Sequence, residues 1–466
     1  MKKSLFFLFL LAGCTPFQGN YNPPQTAVSS AWKGDYVEDA EAQYHCWWTL
    51  FNDPLLEEYE NVTLENNQTV AASYHRMAQA FYISQGDYGF FFPDATLDSR
   101  FFKEGSRLTF GKKTPGNSKR RIFTADELFL NFNWELDLWG KISQTYLNSF
   151  YQYESSSFTF NAALNQITSD LALNYYLLRG YDSEIQVLNQ VIESRQDNFE
   201  LNKFRYNAGL IDYMDVTRAE VDLWSAEAEL KNVVRQRNLQ ENILAVLQDK
   251  VSSEFHVPFI PISLDDNPPV IPVYIPCDLL VNRPDICAAE RKVAAFHSNI
   301  GVAYAEFFPS LNLSGSLGVA STTIDSLFNW KSRLWRETVN VAQIIFDGGQ
   351  LQANLGQSKE AYYEAISLYQ DTVVNAIKEV EDALINIKQR TAQQDDLART
   401  YTAALDTYNL AKDRYESGLI NYLDVVIAER DSLRSARSLA IVHAQRFADT
   451  ALLIKALGGG WVSKEL

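Results

Sequence analysis

Hydrophobic positions along this chain follow two periods. Leu128, Leu130, Phe132, Trp134, Leu136 and Leu138 occupy alternate positions, with Asn131, Asn133, Glu135 and Asp137 between them. This is the period-two signature of a strand with one apolar face. The alternation returns at Ser310–Val319, less regularly at Thr338–Ile344, and more weakly around Ala95–Phe102. Elsewhere the recurrence is heptad: Leu164, Leu171, Leu178, Ile185, Ile192 and Phe199, with Ile167 and Leu188 between them, and later Ile366, Val373, Val380 and Ile387, with Tyr369, Ala376, Ala383 and Leu397. That spacing predicts coiled-coil seams on long helices. No proline falls between Pro115 and Pro258 or after Pro309, so a helix from Trp139 to Gly209 would reach on the order of 100 Å. Several shorter helices folded into a bundle are the alternative.

The pattern is duplicated. Phe204–Val216 reappears as Asp413–Val425, with Arg205/Arg414, Tyr206/Tyr415, Gly209/Gly418, Leu210/Leu419, Ile211/Ile420, Tyr213/Tyr422, Asp215/Asp424 and Val216/Val425 matching in one register. In each copy a helical pattern runs up to a glycine, and Asp212 or Asn421 stands where it can cap the next helix. This reads as the tip of a helical hairpin. Each repeat also holds one pair of strand-like segments, and Phe92-Pro93 in the first matches Phe308-Pro309 in the second as a helix-to-strand junction. Asp137 and Asp347 end the strand patterns and are followed by Gly140 or Gly348-Gly349, a combination that lets an acid cap helix N–H groups while glycine turns the backbone. In Arg283-Pro284-Asp285, proline suits a first helical turn and the acid its positive end. Four strands cannot close a membrane barrel, which needs about eight. Strands entering a membrane would therefore require several copies of the chain; hairpins packed on soluble helices are the alternative.

Composition narrows the function. A net charge of −17 over 466 residues opposes binding to nucleic acid, because phosphates would be repelled. Four cysteines, Cys14, Cys46, Cys277 and Cys287, make no disulfide scaffold; Cys277 and Cys287 either pair or remain reduced. His45, His75, His256, His297 and His443 lack ligand spacing, so neither an enzyme nor a metal or cofactor site is expected. Lys2 and Lys3, the apolar run Leu5–Leu11 and then Ala12-Gly13-Cys14 read as a signal peptide over residues 1–13. Leu11–Cys14 also resembles the bacterial lipobox, whose cysteine is lipidated; an ordinary export signal with an incidental cysteine is the other reading. Residues 14–45 would then be a tether. The remaining divisions are a first repeat at 46–255, a proline-rich belt at 256–280, a second repeat at 281–458 and a tail at 459–466.

Several motifs together resemble the bacterial outer-membrane factor family, the TolC-like exit ducts and NodT-type lipoproteins. They are Trp47-Trp48 with Phe51-Asn-Asp-Pro-Leu55, Trp134–Lys141, Arg283–Glu290, Glu306–Leu311, Phe346–Gln350 and the two tips. The resemblance implies an α+β membrane protein: a homotrimer in which four strands per chain build one transmembrane β-barrel of about twelve, continued by an α-helical coiled-coil barrel into the periplasm. It implies a lipid-anchored outer-membrane conduit for drugs or other small toxic compounds, working with a periplasmic adaptor and an inner-membrane transporter. A protein-secretion duct is the alternative within the class, and a soluble coiled-coil lipoprotein scaffold the alternative outside it. Carried onto this sequence, Cys14 takes the lipid, and Gly209, Leu210, Gly418 and Leu419 dock the adaptor. Asp424 occupies the position of a pore-facing gate carboxylate. Ile427 and Ile420 stand where the family has a second acid and a gate-locking arginine, so a lock of the family's kind is not expected.

Overall fold

The computed structural model describes residues 21–24, 32–33, 46–106, 121–273 and 283–459. Cys14, the leader, most of the tether, Cys277 and residues 460–466 lie outside them. The contacts form two compact units. The first is built mainly from Met77–Ser155 and Ala289–Tyr369, the second from Ser156–Ala288 and Gln370 onward with the segment ending at Arg76. Each unit thus draws on both halves of the duplicated sequence, because the long helices pass from one unit into the other.

In the first unit, the C-terminal part of helix α2 (Gln68–Tyr88) and a 3-10 turn, Gly89–Phe91, lead through Phe92-Pro93 into β1 (Asp94–Ser106). Strand β2 is Arg121–Glu135. Helix α5 (Pro284–Ala305) leads through Phe308-Pro309 into β3 (Ser310–Ser321), and β4 is Arg333–Ala342. Proline restricts the residue before it to extended backbone, so both helices stop there and a strand begins. The four strands form one antiparallel sheet in the order β1-β2-β3-β4. Registers Leu97↔Leu130, Leu130↔Leu317 and Leu317↔Trp335 carry one row across it. Since side chains alternate, Leu97, Phe101, Leu128, Leu130, Phe132, Trp134, Leu313, Leu317, Trp335, Val339 and Val341 share one face. Thr96, Asp98, Arg100, Asn131, Asn133, Ser314, Ser316, Arg336 and Asn340 share the other. The apolar face is open: Leu97 is 69% and Trp335 73% exposed.

Strands β2 and β4 differ in their limits from the sequence expectation. Alternation from Leu128 through Leu138 predicts a later β2, but the strand runs from Arg121 to Glu135, starting and ending earlier. Leu136 N–H still donates to Leu311 O at 2.9 Å; Asp137 then turns its carboxylate onto the following helix and the ladder stops. Strand β4 begins at Arg333 and ends at Ala342, earlier than Thr338–Ile344 at both limits, because the Leu-Trp-Arg-Glu stretch breaks alternation without breaking backbone pairing. At Gly318, a Cβ would collide with the backbone of Leu128 and Phe129 on the paired strand, so this rung requires glycine.

The second unit holds α1 (Pro54–Asn66), most of α3 (Lys141–Asn207), α4 (Tyr213–Leu247), much of α6 (Gln350–Glu416) and α7 (Tyr422–Ala456). Helices α3 and α6 have 67 residues each, about 100 Å at 1.5 Å per residue. Leu171, Leu178, Ile185, Ile167 and Leu188 of the first heptad pattern are buried, as are Val373, Val380, Ala376, Ala383 and Tyr369 of the second. Ile185 and Leu188 pack on Val233 of α4, closing the first hairpin. A Cβ at Gly180 of α3 would come 2.7 Å from the Ala444 Cβ of α7. Arg437 of α7 joins the hairpins, its Nε donating to Glu184 of α3 at 2.8 Å and its Nη1 to Glu229 of α4 at 2.5 Å.

Among its described residues, 256–273, the proline-rich belt has almost no ladder of its own, and helix side chains bond to its backbone. Asp182 accepts from Ile260 N (3.1 Å), Ser183 Oγ from Ile262 N (2.9 Å), and Arg237 donates to Val257 O (2.9 Å). The belt's own Val257, Ile262, Ile271 and Val273 are buried.

Glu60 of α1 is fully buried, and neither carboxylate oxygen finds a partner among the described residues. Burial raises its pKa well above the usual carboxylate value, so the folded chain holds it protonated where the unfolded chain ionises. A raised acid favours folding at low pH, and this contribution is lost as pH climbs above the ordinary carboxylate range, at about 1.4 kcal/mol per pH unit. Glu60→Gln is therefore expected to raise the thermal midpoint at pH 7 and flatten its decline between pH 5 and 8. Equal slopes for the two proteins would overturn the assignment.

Candidate functional site: the hairpin tips and the strand-helix junctions

Helix α3 ends at Asn207 and α4 begins at Tyr213; α6 ends at Glu416 and α7 begins at Tyr422. At both tips the backbone closes alike. Gly209 N–H donates to Tyr206 O (2.8 Å) and Leu210 N–H to Arg205 O (3.0 Å), while Gly418 N–H donates to Tyr415 O (2.8 Å) and Leu419 N–H to Arg414 O (2.9 Å). This double bond pattern requires a left-handed residue, and both glycines have φ of 73°. The turn leaves Leu210 72% and Leu419 73% exposed, beyond what a chain hiding its leucines would leave.

The tips differ beyond this shared turn. Asp212 caps α4 by accepting from Met214 N at 2.9 Å, whereas the Asn421 side chain makes no capping bond at α7, contrary to expectation. Tyr206 and Tyr213 pack at 5.3 Å, and Tyr415 and Tyr422 at 5.2 Å. Arg205 crosses between the repeats, donating to the Tyr415 hydroxyl at 2.7 Å with its guanidinium 5.1 Å from the Tyr422 ring centre. The sequence concealed this bridge, because arginine stands at both equivalent positions.

Asp424 lies exposed in the first turn of α7. Its counterpart Asp215 has Arg218 one turn on, 3.8 Å away; the residue one turn on from Asp424 is Ile427, itself exposed. The equivalent acids are thus partnered in one repeat and flanked by an apolar side chain in the other. Deeper along the same helix Glu429 accepts from Ser194 Oγ at 2.5 Å. Burial, then the Glu429 charge and hydrogen bond, push the Tyr408 hydroxyl up.

The junction residues act on helix starts. Asp137 accepts from Ile142 N (2.9 Å) and Ser143 N (2.8 Å), with Gly140 at φ 79° between them. Asp347 accepts from Gly349 N (2.9 Å) and Leu351 N (2.6 Å), with Gly348 and Gly349 at φ 69° and 92°. The Leu351 and Gly349 amides hold the Asp347 carboxyl below the usual range. Trp139 stacks on Phe308 at 5.0 Å and donates to Pro309 O at 2.7 Å, tying the first junction to the start of β3. Arg283, also buried, donates to Ala456 O (2.7 Å), Asp285 (2.6 Å) and Glu379 (2.8 Å), a structural clamp at the head of α5.

Both halves of the chain match one family, described as outer membrane efflux protein, over residues 60–247 and 275–459. The solvent efflux pump outer membrane protein SrpC of Pseudomonas putida is 28% identical, over 98% of this chain and 97% of its own. Outer membrane protein OprJ of Pseudomonas aeruginosa is 27% identical, over 98% and 95%. The Campylobacter jejuni CmeC outer membrane channel has the same fold, with a TM-score of 0.85 at 23% identity over 97% of this chain and 96% of that one. With the duplicated hairpins, the four-stranded sheet and a match spanning both repeats, the chain belongs to the outer membrane efflux protein family.

Proposed function

We propose that this protein is the outer-membrane exit duct of a tripartite efflux system, a homotrimer that passively releases small toxic compounds delivered by an inner-membrane pump through a periplasmic adaptor. The observation that carries this reading is the sheet: among the described residues it has one apolar and one polar face, four strands and two unpaired edges. Among the described residues no helix is long and apolar enough to cross a membrane. A sheet with an open apolar face and two free edges is stable in lipid only when closed, and four strands are too few. Three copies give about twelve strands, apolar outside and polar inside. A soluble coiled-coil scaffold leaves that apolar face unexplained. Efflux is favoured over protein secretion by the relatives' names, SrpC being a solvent efflux pump outer membrane protein.

In this reading Cys14, outside the described residues, carries the lipid anchor; Gly209, Leu210, Gly418 and Leu419 form the adaptor-docking tips; and Asp424 lines the periplasmic gate. Three exposed carboxylates brought close together repel one another and attract cations. The test is planar-bilayer conductance of the purified protein. Wild type is expected to form cation-preferring pores blocked by multivalent cations from the periplasmic side, and Asp424→Asn to lose much of both properties. Absence of any pore would sink the duct. Unchanged selectivity in the variant would remove Asp424 from the gate while leaving the duct intact.

A further inference from the structure

Lys103, Asp126 and Arg333 lie on the apolar face at its loop end, and one further charge interrupts the apolar band itself. The row Ala95↔Phe132↔Gly315↔Glu337 puts an acid on the edge strand β4 between Trp335 and Val339, opposite a glycine on β3 and diagonal to Leu313 and Leu317. Glu337 is exposed, and no described residue of its own chain pairs with it. Within the proposed duct this side chain faces the hydrocarbon, where an ionised group needs a partner. The remaining neighbour is the strand that closes the free edge of β4, and by symmetry this is β1 of a second copy.

The registers limit how that closure is made. Tilt and stagger are linked in a barrel, and the stagger per chain must be even so that the faces stay matched. For three copies, about four residues per chain gives a tilt of about 35°, and about six gives about 46°. The opposite sense of stagger would set Glu337 against Gly89–Phe91, a 3-10 turn with no strand to offer. A stagger of four places Arg333 opposite Lys103 and Arg336 opposite Arg100, like charges facing each other directly. Both staggers keep β4 within the span of β1, but a stagger of six separates these like charges and sets Asn340 opposite Asp98. It also sets Trp335 opposite Lys103, a cation over an indole, and leaves Glu337 diagonal to both Lys103 and Ser99.

We propose that Glu337 pairs with the partner subunit's Lys103 across the seam between β4 of one chain and β1 of the next, fixing that seam at a six-residue stagger. This rests on the duct reading above. Each copy supplies one half of the pair, so the isolated chain is incomplete at both edges. The pair neutralises an acid in the lipid-facing band and selects one of the two staggers that barrel geometry allows.

Two experiments test it, on full-length protein in outer membranes with Cys46, Cys277 and Cys287 replaced by serine. Oxidised Val339→Cys/Ser99→Cys protein is expected to form covalent dimers and trimers at least tenfold more than Val339→Cys/Leu97→Cys protein, which reports the four-residue stagger. Predominant crosslinking of the Leu97 pair would overturn the register. Crosslinking by neither pair, in a protein that still conducts in bilayers, would overturn the seam but not the duct; a protein that forms no pore would instead count against the duct. Separately, Glu337→Lys is expected to lower the oligomer surviving in detergent at least tenfold, and adding Lys103→Glu to restore it. An undiminished oligomer in the single variant, or no recovery in the reversed pair, would overturn the ion pair.

Discussion

Converting both Leu210 and Leu419 to aspartate is expected to abolish export while leaving the folded trimer intact. Each leucine sits just past its tip glycine and is more than two-thirds exposed, so replacing it costs the chain's own stability within about 0.5 kcal/mol. Its Schellman bonds use backbone atoms only and survive the substitution. An apolar anchor at the centre of a docking surface is worth about 2 kcal/mol or more when lost, and placing a charge there adds a desolvation penalty. Two such losses weaken docking by about a thousandfold or more. The measurement is drug accumulation in cells, with the detergent-resistant oligomer as a folding control. Normal efflux by the double variant would reject the tips as the adaptor site; loss of the oligomer would mean that the leucines hold the fold.

Asp53→Ala is expected to cost about 3–5 kcal/mol, enough to deplete the assembled protein. Asp53 caps α1 by accepting from Leu55 N (3.1 Å) and Leu56 N (3.3 Å), a role worth about 1 kcal/mol. The same carboxylate receives Arg179 Nη1 at 3.0 Å and the hydroxyl of the fully buried Tyr175 at 2.7 Å. Arg179 in turn donates to Ile260 O of the belt. Removing the acid strands a buried guanidinium, the costly way to break such a pair. Beside this knot, Trp47 and Trp48 are buried and Phe51 packs at 5.1 Å on Tyr176, which stacks at 4.9 Å on Phe447. Asp53→Asn keeps most of the hydrogen-bonding capacity and should lose less. A thermal midpoint unchanged in Asp53→Ala would show the knot to be dispensable.

The Trp-Trp and Asn-Asp-Pro-Leu motif marked the family from sequence, but its work became visible only in the fold. Nothing local to Asp53 announces a partner 126 residues away. The Arg205 bridge was hidden for another reason: arginine recurs at both repeats, and only packing selects which of the two reaches the opposite tip. Glu60 escaped notice because an isolated acid on a helix reads as surface until its burial is known. Conversely, the tip glycines and the junction acids were legible, since positive φ and unsatisfied helix amides are local demands met by local residues.

Periodicity marked the long helices and the strands, because burial of a single face imposes its repeat directly on the sequence, and the recurrence of one tip motif marked the duplication. Strand ends were not determined in this way: apolar alternation ran on past Glu135, and a carboxylate turning to cap a helix decided where pairing stopped. The β2–β3 pairing that joins the hairpins of the two repeats into one sheet also belongs to the tertiary structure, since neither strand carries a local mark of a partner outside its own hairpin. The same holds for Glu337, one acid in an irregular strand until the registers set it in an apolar row. Local conformation was written in spacing and residue type, whereas pairing between distant segments depends on which surfaces remain unburied once the local elements exist.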